Sequence, residues 1–261
     1  MTSAAGHALQ YILTHGSHTA GSEDIQLGQN ETLRDTATVL SRFNDVILAR
    51  VYGHNDITEL CKYATVPVIN ALSDAHHPLQ GLADMMTLHA HFGGSFAGRT
   101  LAWVGDGNNI AHTLLSAAGK LGFHIRLATP VGFEPDATVV ARARADAAAS
   151  GGSVMLTTEP RDAVAGAHAI VTDTWVSMGQ EGEAAARLAR FDGYQVTEAM
   201  AAGADPSWVF LHCLPRKPYE VDDAVFYGPR SLVWDEAENR KWTVMAVALA
   251  QLLGGADVGG T

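Results

Sequence analysis

The sequence has only two cysteines, and it has neither a long apolar run nor a block of basic residues. Cys61 and Cys213 lie far apart and form neither a disulfide framework nor a zinc pattern, so we expect two reduced thiols. No apolar run approaches the roughly 18 residues of a spanning helix, which excludes membrane insertion. Lys and Arg number 17 against 28 Asp and Glu, and this net charge of −11 disfavours nucleic acid as a partner.

The first twenty residues show no signal peptide, because they lack both a basic start and an apolar core segment. The remainder of the 261 residues alternates between short, almost continuous apolar runs and helical patterns. This alternation predicts an α/β fold of two lobes, each with a parallel sheet flanked by helices. The glycine-rich segment Phe92–Arg99 predicts a boundary between the lobes.

Polar side chains that follow the predicted strands are the candidates for a functional site. Parallel sheets bind their ligands at the carboxyl ends of the strands, so polar residues there are expected to line one crevice. The candidates are Arg50, residues 77–80, residues 106–109, residues 172–181 and residues 212–216.

Each candidate also has a purely structural interpretation. The turn GDGNNI is similar to the start of a dinucleotide fingerprint, but Ile110 occupies the third glycine position, which disfavours a nicotinamide oxidoreductase. Taken alone, Asp173 fits a capping residue, Cys213 a buried filler and His77 a turn residue. Arg50 at the end of an apolar strand is harder to explain without a bound anion.

Two histidine pairs predict no metal site. His89 with His91, and His15 with His18, lack Cys or carboxylate companions at coordinating spacing. Solvated or packed histidines are therefore the favoured interpretation.

Five segments together carry a family resemblance. HPLQ, WVGDGNNIAHTLL, TDTWVSMGQE, HCLPRKPYEVDDAVFYGPRSLVW and EAENRKWTVMAV occur in an order and spacing that resemble the ornithine carbamoyltransferases of the aspartate/ornithine carbamoyltransferase superfamily. The resemblance covers Asp24 to about the end of the final helix. SMGQE together with HCLPR separates the ornithine enzymes from their aspartate relatives.

The resemblance implies the organisation of the chain. It implies a carbamoyl phosphate-binding domain over residues 1–93, an ornithine-binding domain over 94–236, and a carboxyl-terminal helix over 237–261 that returns to the first domain. It also implies a homotrimer. The compartment would be the mitochondrial matrix for a eukaryotic source and the cytoplasm otherwise.

The resemblance also implies the site residues, position by position. Catalysis would involve Arg50, His77, Asp173 and Cys213. The residues expected to bind carbamoyl phosphate are Arg50, His77, Gln80, Cys213, Leu214 and Arg240. The residues expected to bind ornithine are Asn109, Asp173, Ser177 and Met178.

The implied reaction moves the carbamoyl group of carbamoyl phosphate to the δ-amine of L-ornithine, giving L-citrulline and phosphate, without metal or organic cofactor. The family has a Ser-Thr-Arg-Thr phosphate motif before the position of Asp24, and this sequence contains none. We therefore expect an incomplete first domain and weak or absent activity of the chain as written. The alternative is a non-catalytic ornithine-binding or regulatory relative. A carbamoyltransferase acting on another amine, such as putrescine, fits SMGQE poorly.

Overall fold

The structure is a computed structural model that describes residues 8–13, 16–21, 31–176, 182 and 184–253, with side chains from residue 31 onward. It divides into two compact units, of which the first comprises Met1–Leu79 with Lys241–Thr261 and the second Gln80–Arg240. These divisions differ from the boundaries expected at residues 93 and 236. The assignment of one substrate to each predicted domain stays a prediction.

The strands and helices alternate along most of the described chain. The strands are Ala8–Leu13 (β1), Gly16–Gly21 (β2), Val46–Arg50 (β3), Val68–Leu72 (β4), Thr100–Val104 (β5), His124–Ala128 (β6), Ser153–Thr157 (β7), Ala169–Thr172 (β8) and Val209–His212 (β9). The helices are Leu33–Leu40 (α1), His54–Tyr63 (α2), Pro78–His91 (α3), Asn109–Leu121 (α4), Ala137–Ser150 (α5), Pro160–Val164 (α6), Ala184–Arg190 (α7), Glu198–Ala201 (α8), Asp223–Phe226 (α9) and Val233–Leu252 (α10).

The second unit contains a parallel sheet in the order β7-β6-β5-β8-β9. Alternate residues of β5 face opposite sides, because successive side chains of a strand point in opposite directions. Leu101 and Trp103 pack in one apolar cluster with α4 and α5. Ala102 and Val104 pack in another with α6, α8 and α9. Burial of both faces explains why the strands are apolar throughout, and it confirms the predicted α/β class.

The first unit contains a sheet in the order β2-β1-β3-β4. Strands β3 and β4 are parallel, as predicted. Strand β1 runs antiparallel to both β2 and β3, so this sheet is mixed. Only two residues separate β1 from β2, and so short a connection joins antiparallel neighbours.

The two faces of β3 are covered by different helices of the first unit. Ile47 and Ala49 pack with apolar residues of α1 and α2. Val46 and Leu48 pack on the other face, where Ala248 of α10 completes the cluster. The predicted return of the carboxyl-terminal helix to the first lobe is therefore confirmed.

Candidate active site

The strand ends of the second sheet bring three of the predicted polar segments to one edge. Strands β5, β8 and β9 are parallel neighbours, so their carboxyl ends lie side by side. Asp106 follows β5 closely, Asp173 follows β8 directly and Cys213 follows β9 directly. The topology therefore gathers residues that are up to 107 positions apart in the sequence.

Asp173 accepts hydrogen bonds from the other two segments. The Cys213 thiol donates a hydrogen bond to Oδ1 of Asp173, with sulfur and oxygen 2.7 Å apart. The other carboxylate oxygen, Oδ2, accepts a hydrogen bond from Nδ2 of Asn108 at 3.2 Å. Asp173 is buried, so both contacts lie away from bulk water. Asp173 and Cys213, both expected at the catalytic site, are thus in contact in the second unit.

The Cys213 thiol is held in its protonated form. Its pKa is raised well above the ordinary value, first by burial and then by the neighbouring negative charge of Asp173. The carboxyl groups of Glu236 and Asp84 act in the same direction. The thiol is therefore a hydrogen-bond donor at neutral pH rather than a thiolate nucleophile.

Asn108 rather than Asn109 is the amino-terminal cap of α4. Its backbone is extended, and its Oδ1 accepts hydrogen bonds from the N–H groups of Ile110 and Ala111 at 3.0 and 3.2 Å. The same side chain uses its Nδ2 on Asp173. The cap thus fixes the Asp173 carboxylate, a role that the sequence analysis did not assign to this residue. The predicted ornithine contact of Asn109, the first residue of α4, stays a prediction.

His212 supports the turn that carries Cys213. Its Nδ1 accepts the N–H of Leu214 at 3.0 Å, so the ring proton lies on Nε2, which donates to Oε2 of Glu220 at 3.1 Å. Both His212 and Glu220 are completely buried. Leu214 has a left-handed φ of 59° and precedes a cis peptide bond to Pro215. The HCLPR motif identified the segment but not the His212–Glu220 pair.

A buried acid pair lies beside the same strand end. Gln80 of α3 donates its Nε2 to Oδ1 of Asp84 at 2.7 Å and to Oε1 of Glu236 at 2.6 Å. The remaining oxygen of Glu236, Oε2, accepts the backbone N–H of His212 at 2.9 Å. Asp84 and Glu236 were both missed by the sequence analysis. The helical spacing of Gln80 and Asp84 was the available signal, since residues four apart share a helix face.

Burial raises the pKa of both carboxyl groups of the acid pair. The pKa of Glu236 lies well above its ordinary value, because desolvation, the charge of Asp84 and a hydrogen bond that protonated Glu236 donates to Asp84 all favour its neutral form. Burial also raises the pKa of Asp84, while hydrogen bonds that its carboxylate accepts from Glu236 and Gln80, and the charge of Arg240, lower it. Burial therefore disfavours a negative charge on both groups at once, and the pair shares a proton. Arg240 lies on α10 one turn beyond Glu236, and its predicted contact with carbamoyl phosphate stays a prediction.

Asp106 forms a buried ion pair with Arg187 of α7. Nη2 of Arg187 lies 2.5 Å from Oδ2 of Asp106, and the Arg187 Nε donates to the carbonyl oxygen of Trp175 at 3.0 Å. Burial nevertheless raises the pKa of Asp106 to about 6, against the opposing charge of Arg187. Arg187 therefore ties the turn after β5 to the segment after β8.

The other predicted residues lie in the first unit or outside the described residues. Arg50 is the last residue of β3, where its backbone pairs with Leu72. His77 is buried and directly precedes α3. Arg50 ends β3 and His77 comes after β4, the two parallel strands of the first unit, and the approach of both to the second-unit residues stays a prediction. Ser177 and Met178 lie outside the described residues, and their contact with ornithine also stays a prediction.

Within the part of the chain that the structure describes, no group of three or more His, Cys, Asp or Glu side chains is arranged to hold a metal ion. His89 and His91 lie at the end of α3, and the rings of His89 and Phe96 are 5.7 Å apart. None of the described helices has the length and apolar character needed to cross a membrane.

Two family models match most of the chain. The model described as the Asp/Orn binding domain of aspartate/ornithine carbamoyltransferase matches residues 97–251. The model described as the carbamoyl-P binding domain of the same family matches residues 4–90. The second match begins upstream of Asp24, from which the sequence motifs predicted the resemblance.

Individual relatives agree with these matches. The chain is 56% identical over 230 residues to the mitochondrial ornithine transcarbamylase of Gallus gallus, which covers 88% of this chain and 65% of that relative. It is 48% identical over 260 residues to the ornithine carbamoyltransferase of Pyrococcus abyssi, covering 99% of this chain and 78% of that one. The solved ornithine carbamoyltransferase of Pyrococcus furiosus matches with a TM-score of 0.85 at 49% identity, covering 90% and 75% of the two chains. The chain thus spans slightly less than two thirds of the Gallus gallus relative.

Proposed function

The chain belongs to the aspartate/ornithine carbamoyltransferase family, and we propose from this premise that it transfers the carbamoyl group of carbamoyl phosphate to the δ-amine of L-ornithine. The products are L-citrulline and phosphate. The observation that carries the proposal is the Cys213 thiol held on the Asp173 carboxylate at the carboxyl edge of the second sheet. The family motifs TDTWVSMGQE and HCLPR supply these two residues.

The charge of this edge suits a cationic amine. The ornithine δ-amine has a pKa of about 10, as a lysine side chain does, so it arrives as an ammonium group. The Asp173 carboxylate is a buried, hydrogen-bonded acceptor for that group, and the neutral Cys213 thiol adds no second negative charge. Asp173 therefore attracts the ammonium group and is the acceptor that we assign to its first proton.

The transfer itself forms one bond and breaks another. The deprotonated δ-nitrogen attacks the carbonyl carbon of carbamoyl phosphate, and negative charge develops on the carbonyl oxygen. The bond from that carbon to the phosphate oxygen then breaks, and phosphate leaves with the electron pair and accepts the second proton of the nitrogen. Arg50 and His77 are the groups that we assign to the phosphate and the carbonyl oxygen. One well-placed donor at such an oxygen contributes about 3–4 kcal/mol to transition-state stabilisation.

Gln80 fits the role of acceptor for the carbamoyl amine. Its Nε2 donates to both acids, and its Oε1 is buried without a hydrogen-bond partner among the residues that the structure describes. Buried acceptors are normally satisfied, so an unpaired one favours a ligand that donates an N–H. Leu214 and Arg240 are assigned to the same carbamoyl end.

Formation of labelled citrulline from carbamoyl phosphate and ornithine tests the proposal. We expect Asp173→Asn and Cys213→Ser to lower kcat, by about 10²–10⁴-fold for the group that handles the proton. Asp162→Asn and Cys61→Ser change an exposed carboxylate and an exposed thiol, and they serve as matched controls with the wild-type rate. Citrulline formation that is unaffected by both site variants contradicts the assignment.

Calorimetry separates the enzyme from the alternative of a non-catalytic relative. Binding of both ornithine and carbamoyl phosphate, with turnover, supports the transferase. Binding of ornithine without carbamoyl phosphate favours an ornithine-binding or regulatory protein. Binding of putrescine in preference to ornithine contradicts the choice of amine.

Assembly and compartment remain predictions. We propose a homotrimer, which light scattering of the purified chain tests. For the compartment we propose the mitochondrial matrix if the source is eukaryotic and the cytoplasm otherwise, since mitochondrial and prokaryotic relatives both match the chain.

A further inference from the structure

We propose that Asp84 and Glu236 are positioning residues that fix the side-chain amide of Gln80 with its carbonyl oxygen toward the transferred group. This arrangement selects a group that carries an N–H donor. The inference rests on the proposed function for the identity of the acyl donor. It assigns to two buried acids a role that the proposed reaction does not otherwise use.

The hydrogen bonds of Gln80 determine which way its amide points. The nitrogen Nε2 has two protons, and the structure gives it two carboxylate partners, Oδ1 of Asp84 at 2.7 Å and Oε1 of Glu236 at 2.6 Å. A flipped amide would direct its carbonyl oxygen at these two oxygens. The shared proton of the pair could satisfy at most one of the three acceptors, and unmade bonds are costly where water is excluded.

The acid pair is itself held from several sides. The carboxyl groups of Asp84 and Glu236 hydrogen-bond to each other through their shared proton. Oε2 of Glu236 accepts the backbone N–H of His212 at 2.9 Å, which connects the pair to the turn that carries Cys213. Arg240 adds a favourable positive charge to Asp84. Because α3, α10 and the end of β9 each contribute a group, the pair cannot rotate without losing several bonds at once.

This arrangement leaves the carbonyl oxygen of Gln80, Oε1, available to a ligand. It is buried and has no hydrogen-bond partner within the described part of the chain. An acyl phosphate that bears an amino group offers this oxygen an N–H. An acyl phosphate that bears a methyl group would leave it unpaired, and a site built to hydrogen-bond a substrate N–H rejects such analogues strongly. The pair thus acts on selectivity through Gln80, without contacting the substrate.

Competition between two acyl phosphates tests the inference in the full chain. The wild type is assayed for citrulline formation, with acetyl phosphate as a competing ligand that has a methyl group in place of the amino group. Glu236→Gln and Asp84→Asn keep the shape of each acid but allow the amide of Gln80 to flip. Glu238→Gln removes an exposed carboxylate from the same helix and is the matched control.

We expect the wild type to prefer carbamoyl phosphate over acetyl phosphate by at least about 100-fold. In each pair variant, the KM for carbamoyl phosphate should rise by about 10-fold or more. The inhibition constant of acetyl phosphate should stay unchanged. The control variant should leave both constants unchanged. An equal loss of affinity for both acyl phosphates, or no loss of affinity for either, overturns the inference.

A second measurement needs no turnover, and it separates failure of this inference from failure of the proposed function. The side-chain amide protons of Gln80 are assigned by nuclear magnetic resonance from the signal that Gln80→Met removes. We expect both protons to exchange slowly with solvent in the wild type and the signal to shift in Glu236→Gln and Asp84→Asn. Fast exchange, or a signal that both pair variants leave in place, contradicts the inference whether or not citrulline forms.

Discussion

The charge of Asp106 is expected to destabilise the second unit, although the carboxylate has a guanidinium partner. Its side chain is only 11% exposed, and Arg187 lies 2.5 Å away. Burial nevertheless raises the pKa of Asp106 to about 6 from the ordinary value of 3.8. The desolvation of the carboxylate therefore outweighs its attraction to Arg187.

The difference between the pKa of Asp106 in the folded state and its ordinary value sets the magnitude and the sign of the effect on stability. The rise of the Asp106 pKa from 3.8 to about 6 corresponds to about 3 kcal/mol. Below pH 4 the carboxyl group is protonated in both the folded and the unfolded state. Between about pH 4 and 6 only the folded state retains the proton, so its stability falls as the pH rises through this range. Above pH 6 the loss is complete.

The variant Asp106→Asn provides the reference, because it is neutral at every pH. The free energy of unfolding is measured in urea at pH 4, 5, 6 and 7 from tryptophan fluorescence, since four of the five tryptophans lie in the second unit. We expect the stability of the wild type, minus that of the variant, to fall by about 3 kcal/mol from pH 4 to pH 7. Asp162→Asn removes an exposed carboxylate, and the pH dependence of its free energy of unfolding should stay closer to that of the wild type than the pH dependence of Asp106→Asn does.

A difference that stays constant from pH 4 to pH 7 would refute the assignment of a raised pKa to Asp106. A difference that grows with pH would show that Arg187 outweighs burial. In that case the ion pair stabilises the unit, and desolvation of the Asp106 carboxylate does not outweigh its attraction to Arg187.

Three further predictions concern the candidate site. Asn108→Ala removes the cap of α4 and should lower the free energy of unfolding by about 1 kcal/mol in urea titrations; unchanged stability contradicts the capping role. In a Cys61→Ser background, the rate at which iodoacetamide alkylates Cys213 should still increase with pH above pH 9, because the thiol pKa is raised. Asp173→Asn should move this increase to lower pH. A rate that reaches its plateau below pH 9 in the Cys61→Ser parent contradicts the raised pKa. Gly107→Ala should cost about 1–3 kcal/mol, because its Cβ would lie 2.3 Å from a backbone nitrogen; a neutral result in thermal melts argues against the tight turn.

Much of the fold was predictable because its signals are local. The apolar run of β5 indicates a strand covered on both faces, and the helical pattern that follows it ends at Gly122, a left-handed C-cap. The hairpin of β1 and β2 was not predicted, because the segment GSHTAG has no apolar alternation. Its pairing beside β3 depends on contacts between distant segments.

The candidate site was predictable in its residue types and only partly in its contacts. Asp173 and Cys213 are visible as polar residues that follow apolar strands, but their hydrogen bond depends on the adjacency of β8 and β9. Asn108 and Asn109 are neighbours of the same type, and only the extended backbone at Asn108 identifies the cap. Glu236 lies 156 positions from Gln80, so no local pattern connects them.

The amino-acid sequence alone determined the α/β class, the family and the chemical groups at the strand ends, because periodicity and motifs are properties of short segments. The tertiary structure decided which groups meet, which nitrogen of His212 is protonated, and which way the Gln80 amide points. It also decided the pKa values of Asp106, Cys213 and Glu236, because desolvation and neighbouring charge arise only when segments distant in the sequence pack together.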